Sequence, residues 1–166
     1  MTIHFYCDII FFMNRKILII CGLLFVGCFC FGQSADFVSK MIESPCVTYE
    51  DAAYFCAINL GLIQETDSAN EALVALDREK VFPMPENPTA NITYDAFANM
   101  CLKTWKIKGG LLYTITKSNR YAFKEMQYLG FIPNSEDPKS EVSGIQMLNM
   151  FTRCIEMAEK GSTNEK

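Results

Sequence analysis

Apolar residues recur along most of this chain at intervals of three and four, the spacing of one face of an α-helix. Phe97, Met100, Cys101 and Trp105 form one stripe, and Ile145, Leu148, Phe151, Thr152 and Ile155 form another; both read as core-facing. Hydroxyl residues and glycines punctuate the pattern. Ala35 to Ile42 predicts a short helix ended by Ser44-Pro45. Thr48 opens the next helix, with Asp51 three residues on to complete a capping box, and Gly61 stops it after Leu60. Ser68 caps a helix from Ala69 to Lys80, and the proline-rich run from Pro83 to Pro88 is a rigid connection. Thr93 opens a helix through Trp105, ahead of Gly109-Gly110. Leu111 to Ser118 reads as either a short helix or an extended stretch, because Thr114-Ile115-Thr116 favours β structure. Ser118 or Asn119 starts a helix through Leu129; Ser143 caps the last one, to Lys160, with a frayed tail from Gly161 to Lys166. The expected fold class is all-α.

The helix-opening phrases repeat. Val47-Thr48-Tyr49-Glu50-Asp51-Ala52-Ala53 returns as Ile92-Thr93-Tyr94-Asp95-Ala96-Phe97-Ala98, and more faintly as Val142-Ser143-Gly144-Ile145-Gln146-Met147-Leu148. The second and third copies follow matching segments that end in Val81-Phe82-Pro83 and Phe131-Ile132-Pro133. The two prolines lie 50 residues apart, as do Ile92 and Val142. Such a period marks modules that bury their apolar faces against one another, an architecture that more often binds or scaffolds than catalyses.

The start of the chain reads as a leader, residues 1–32. Met13-Asn14-Arg15-Lys16 is a basic n-region, with translation from Met13 as an alternative start, and Ile17 to Val26 is an apolar h-region. An apolar run of that length falls short of the ~20 residues of a membrane span. Two cleavage readings stand. A cut after Gly32 leaves Gln33 as the terminus of a soluble exported protein, whereas Leu24-Phe25-Val26-Gly27-Cys28 matches a relaxed lipobox in which Cys28 is acylated. An uncleaved anchor is the third alternative. Each places the protein outside the cytoplasm, in the periplasm or cell envelope, with membrane contact only through the N-terminal lipid or leader.

Removing that leader, which carries +1, from a chain of net charge −4 leaves an acidic domain without an electrostatic footprint for nucleic acid. Lys103, Lys106 and Lys108 cluster, and read as a solvated face. The sole histidine, His4, lies in the leader, so no imidazole-based triad is available to the domain. Glu50-Asp51 and Glu136-Asp137 are adjacent carboxylates that suit helix ends and loops better than acid/base pairs. Cys46, Cys56, Cys101 and Cys154 remain in the domain. Three of them, Cys56, Cys101 and Cys154, fall on apolar helix faces and read as core, with disulfides as the alternative. There is no CxxC pair for a metal, and no cofactor is expected.

Tyr121 to Pro133, a proline-containing polar loop and Val142-Ser143 together resemble an S-layer homology repeat; Glu71 to Trp105 resembles a second copy, and Val47 to Leu60 the second helix of a third. The resemblance implies about two and a half helix-loop-helix units in a pseudo-threefold arrangement, binding an anionic cell-wall polymer. Gly109-Gly110-Leu111-Leu112-Tyr113 followed by Arg120-Tyr121-Ala122-Phe123 also resembles exported spirochaete envelope proteins. At the family's Thr-Arg-Ala-Glu positions the chain carries Thr48-Tyr49-Glu50-Asp51, Thr93-Tyr94-Asp95-Ala96 and Ser143-Gly144-Ile145-Gln146, with no arginine in any. The bidentate guanidinium contact to an anionic sugar is absent from those positions.

The candidate interaction residues are Tyr49 and Tyr94, repeated aromatics after equivalent caps, and Arg120 with Tyr121 at a helix start. Tyr49 and Tyr94 also suit a hydrophobic staple that closes on a neighbouring repeat. The function expected is a non-catalytic, envelope-associated interaction or scaffolding module. Binding of peptidoglycan or a secondary wall polymer is the alternative, and a carrier of a small apolar ligand, suggested by nine methionines and thirteen phenylalanines, is a further one.

Overall fold

The computed structural model describes residues 32–163, all in helices, turns and two isolated bridges, which makes the protein all-α. The helices are α1 (Gly32–Glu43), α2 (Tyr49–Asn59), α3 (Ala69–Arg78), α4 (Tyr94–Thr104), α5 (Leu111–Thr116), α6 (Asn119–Tyr128) and α7 (Gly144–Thr163). Residues 1–31, which hold Cys28 and all but the last residue of the expected leader, lie outside the described residues. The chain divides into units 1–40 and 41–166; of the first, only the opening of α1 is described, and all that follows concerns the second.

Three helix starts are explained by their caps. Thr48 and Ser68 form reciprocal capping boxes with Asp51 and Glu71. Ser143 exchanges the same pair of bonds with Gln146, whose side-chain oxygen accepts from the Ser143 N–H at 2.9 Å. Thr93 occupies the N-cap of α4 in extended geometry, but its hydroxyl donates to Asp95 Oδ1 at 2.6 Å and makes no cap bond. The competition is local: a carboxylate two residues on takes the hydroxyl proton in place of the backbone.

Four helix ends are built alike. Leu62, Val81, Ile107 and Phe131 each send a backbone N–H back to the carbonyl of Ala57, Leu76, Leu102 and Met126, at 2.8 to 3.0 Å. These are Schellman turns, each with an apolar residue just beyond the left-handed position. That position is glycine twice, Gly61 and Gly130, and lysine twice, Lys80 and Lys106.

α2 packs on α3 and α4 on α6, while α4 also meets α2 and α7. α4 is the central element: nearly every residue from Tyr94 to Thr104 is buried. The three repeated phrases meet in a closed ring of backbone hydrogen bonds. Val47 donates to Val142 at 2.8 Å, Val142 to Ile92 at 3.1 Å, and Ile92 to Val47 at 2.8 Å. All three side chains are fully buried. A second set of bonds lies beside the ring, since Tyr49, Tyr94 and Gly144 donate to the carbonyls of Ala90, Ser140 and Ser44, each at 3.0 to 3.1 Å. An ion pair at 2.7 Å between buried Asp95 and exposed Lys139 reinforces the second of these joints.

The α5 segment is helical despite its β-favouring residues, because the hydroxyls of Thr114 and Thr116 bond back to Gly109 and Leu112 carbonyls. α7 runs on through Gly161 to Thr163, three residues past the expected Lys160: no proline follows to stop it, and one glycine costs a helix only ~1 kcal/mol.

Cys46, Cys56, Cys101 and Cys154 are all free. Burial pushes the Cys56 thiol up to about 12, and burial with the neighbouring Cys154 and Cys56 thiols pushes Cys101 well above its ordinary value. These raised values stabilise the fold below the unfolded-chain thiol value of 9.0, and that contribution is lost as pH climbs beyond it. We expect thermal stability to fall as pH rises from about 9 towards about 12, and the fall to shrink when Cys56 and Cys101 are both alanine. A thiol reagent at neutral pH should label Cys46 alone of the four until the protein unfolds, read by peptide mass mapping.

Candidate binding site

The second joint of the ring leaves a cavity of about 210 Å3 between the start of α4, the turn after α6, and α7. Tyr94 comes from α4, Gly130, Phe131 and Pro133 from the turn, and Gln146, Asn149, Met150 and Arg153 from α7. Each is placed by a local rule. Tyr94 follows the Thr93 cap; Gly130 takes φ +73° in the Schellman turn of α6; and Gln146, Asn149 and Arg153 are spaced three and four apart, on one face of α7.

Tyr94 is 1% exposed, and its ring packs edge-on to Phe123 with centroids 6.4 Å apart. Its Oη is the one buried side-chain polar atom among the described residues with no hydrogen-bond partner. A buried, unpaired hydroxyl costs ~1–3 kcal/mol, so its retention calls for an explanation. Burial, then the nearby Glu136 carboxylate, push its pKa up to about 12, so the hydroxyl keeps its proton at neutral pH and is available as a donor. Arg153 stands at the rim and donates Nη1 to the Gly130 carbonyl. The cavity therefore joins apolar surface from Phe131 and Met150 and the buried Tyr94 side chain to the amide and guanidinium groups of Gln146, Asn149 and Arg153. That combination suits a small polar or anionic group presented by a larger partner.

The remaining sequence candidates lie elsewhere. Tyr49 is half-buried and stacks on Phe82 at 6.0 Å, so it and Tyr94 each pack on an aromatic ring of the following repeat. Tyr94 offers no open ring face because its side chain is buried, and Phe82 takes one face of the Tyr49 ring. Arg120 is exposed and Tyr121 half-buried at the start of α6, ten residues from Gly130 and so roughly 15 Å from the cavity along the helix. The guanidinium at the cavity belongs to Arg153, which the sequence reading passed over. The i, i+3, i+7 spacing of Gln146, Asn149 and Arg153 is the signal that marks it.

Among the described residues no group of acidic, cysteine or histidine side chains could hold a metal, and no helix is long and apolar enough to cross a membrane. Cys46 donates its thiol proton to Glu141 at 3.0 Å, and that hydrogen bond, ahead of burial, raises its pKa. No family model, curated protein or solved structure matches the chain.

Proposed function

We propose that the chain is a non-catalytic, exported, envelope-associated interaction module, built from S-layer-homology-like repeats in a pseudo-threefold ring. Its partner is an envelope protein, held at the seam where Tyr94 and Arg153 face one cavity. The cyclic bonding of Val47, Ile92 and Val142 supports the repeat reading, and the partnerless Tyr94 hydroxyl carries the binding reading. A hydroxyl that costs stability in the free protein is repaid when a partner accepts its hydrogen bond.

A second reading, recognition of peptidoglycan or a secondary wall polymer, is favoured by Arg153. It supplies a guanidinium at the joint where the repeat family's own arginine slot holds Tyr94. Tyr94→Phe tests both readings. Because the lost oxygen has no partner, the unfolding midpoint should hold or rise, by an amount worth up to ~1 kcal/mol, while affinity for the partner falls about tenfold. Sedimentation with purified sacculi separates the two. Retention that weakens in the Tyr94→Phe protein supports the polymer; retention on solubilised envelope proteins alone supports the protein partner. Equal binding by both proteins in both assays would overturn the site.

A further inference from the structure

A second cavity, of about 580 Å3, lies on a different face, where the ends of α3, α4 and α5 meet. Five lysines line it, Lys80, Lys103, Lys106, Lys108 and Lys117, against one acid, Glu79. The chain has 15 lysines and arginines and a net charge of −4, so a third of its basic residues converge on one spot of an acidic protein.

The backbone shows that this placement is costly. The non-glycine residues with positive φ among those described are Lys80 at 56°, Lys106 at 52° and Lys117 at 51°, and all three line this cavity. Side chains rarely adopt that region without strain. At the equivalent ends of α2 and α6 the same turn uses Gly61 and Gly130. Favourable contact of lysine with helix C-termini accounts for part of the preference. It does not account for the crowding of five such charges, because burial and then the charge of Lys117 hold Lys103 below the ordinary lysine value.

α5 borders this cup through Tyr113, Thr114 and Lys117, and turns its other arc outward. Leu111 is 75% exposed, Leu112 56% and Ile115 70%. At 100° per residue these three occupy one arc adjoining Thr114. The exposure is not that of a loose helix. Tyr113 is buried and its hydroxyl donates to Asn99 at 3.0 Å, Asn99 in turn donates to Asn119 at 2.7 Å, and the Gly110 N–H donates to Glu125 at 2.8 Å. Lys117 lies over the Tyr113 ring at 4.9 Å. α5 is pinned to the body of the protein with its apolar arc facing out.

We propose that this face docks on an anionic lipid surface. Leu111, Leu112 and Ile115 enter the boundary between headgroups and acyl chains, and the five lysines receive the phosphates of the surrounding headgroups. An apolar arc flanked by lysines is the pattern of a helix lying in a membrane interface, and the excess positive charge complements an anionic leaflet. A helix this short gives weak, reversible contact whose strength depends on both parts. The proposal stands apart from the Tyr94 cavity, so either can fail without the other.

The test uses the full chain with vesicles of phosphatidylcholine, with and without phosphatidylglycerol. Residues 1–32 carry Arg15 and Lys16 and are common to every variant, so the change on substituting this face, at fixed lipid, is what reports it. We expect binding to rise on the anionic vesicles and to collapse in roughly 0.5 M salt. Lys106→Gln with Lys108→Gln and Lys117→Gln should lower anionic-vesicle binding by several-fold per lysine. Leu112→Trp, at an exposed position, should show blue-shifted emission on anionic vesicles only. Lys106→Gly relieves the strained backbone, so its melting temperature should rise while vesicle binding falls, which separates lost contact from lost fold. Equal binding to both lipids, no effect of the lysine substitutions, or an unshifted Leu112→Trp emission would each overturn the proposal. So would binding of free glycerophosphate without any binding to vesicles.

Discussion

Gly144→Ala is expected to destabilise the protein by about 3 kcal/mol, lowering the melting temperature by roughly 10 °C. A methyl group at Gly144 would stand 1.7 Å from the Met41 carbonyl oxygen and 2.7 Å from its carbon. Both are backbone atoms, so neither can rotate away, and the joint between the first and third copies has to open. Its bond from the Gly144 N–H to Ser44, at 3.0 Å, would be strained with it. Gly61→Ala is the natural comparison. That glycine has φ +67° and nothing within 4 Å of the added carbon, so it should cost only the ~1 kcal/mol of a left-handed alanine. Equal losses for the two variants in thermal or chemical unfolding would show that close approach at the joint does not limit stability.

Phe151→Ala should cost about 3–5 kcal/mol, the range for removing a large buried aromatic. Phe151 is the hub of the aromatic core, with ring centroids 5.6 Å from Phe55, 5.3 Å from Phe97 and 5.0 Å from Trp105. It thereby ties α7 to both α2 and α4. No neighbouring backbone can collapse into the gap without moving a helix, so the loss should fall near the top of that range. Trp105 is the single tryptophan, and its emission reports the event. The variant should show red-shifted, weakened fluorescence together with an earlier unfolding midpoint. An unchanged spectrum would place Trp105 outside this cluster.

The all-α class and most helix boundaries were legible because each rests on a local rule. A hydroxyl with an acid or amide three residues later marks the starts at Thr48, Ser68 and Ser143, and Gly61 marks a stop. Ends closed by lysine were harder to see. The Schellman turns at Lys80 and Lys106 use an apolar residue beyond the turn, Val81 or Ile107, where a reader looks for glycine. β propensity misleads at Thr114-Ile115-Thr116 because threonine hydroxyls can bond to the preceding helical turn.

The third copy of the repeat is faint for a physical reason. The tyrosine slot holds Gly144 because the Met41 carbonyl already fills the space a side chain would need. For the sites, Tyr94 was legible as a repeated aromatic, but its burial and its partnerless hydroxyl depend on Phe123 and α7, which lie far along the chain. Lys103, Lys106 and Lys108 read as a solvated face because sequence spacing does not show that Lys80 and Lys117 arrive beside them. Convergence of helix ends is a tertiary fact.

The most direct test of the central claim places a photo-crosslinking amino acid at Asn149, on the exposed rim of the Tyr94 cavity, in the chain as its own cell produces it. The same group at Asn59, exposed on α2, serves as the reference position. The account predicts a discrete envelope adduct from position 149 that disappears when Tyr94→Phe is added, and none from position 59. No adduct from 149, or one that persists unchanged in the Tyr94→Phe protein, would contradict it.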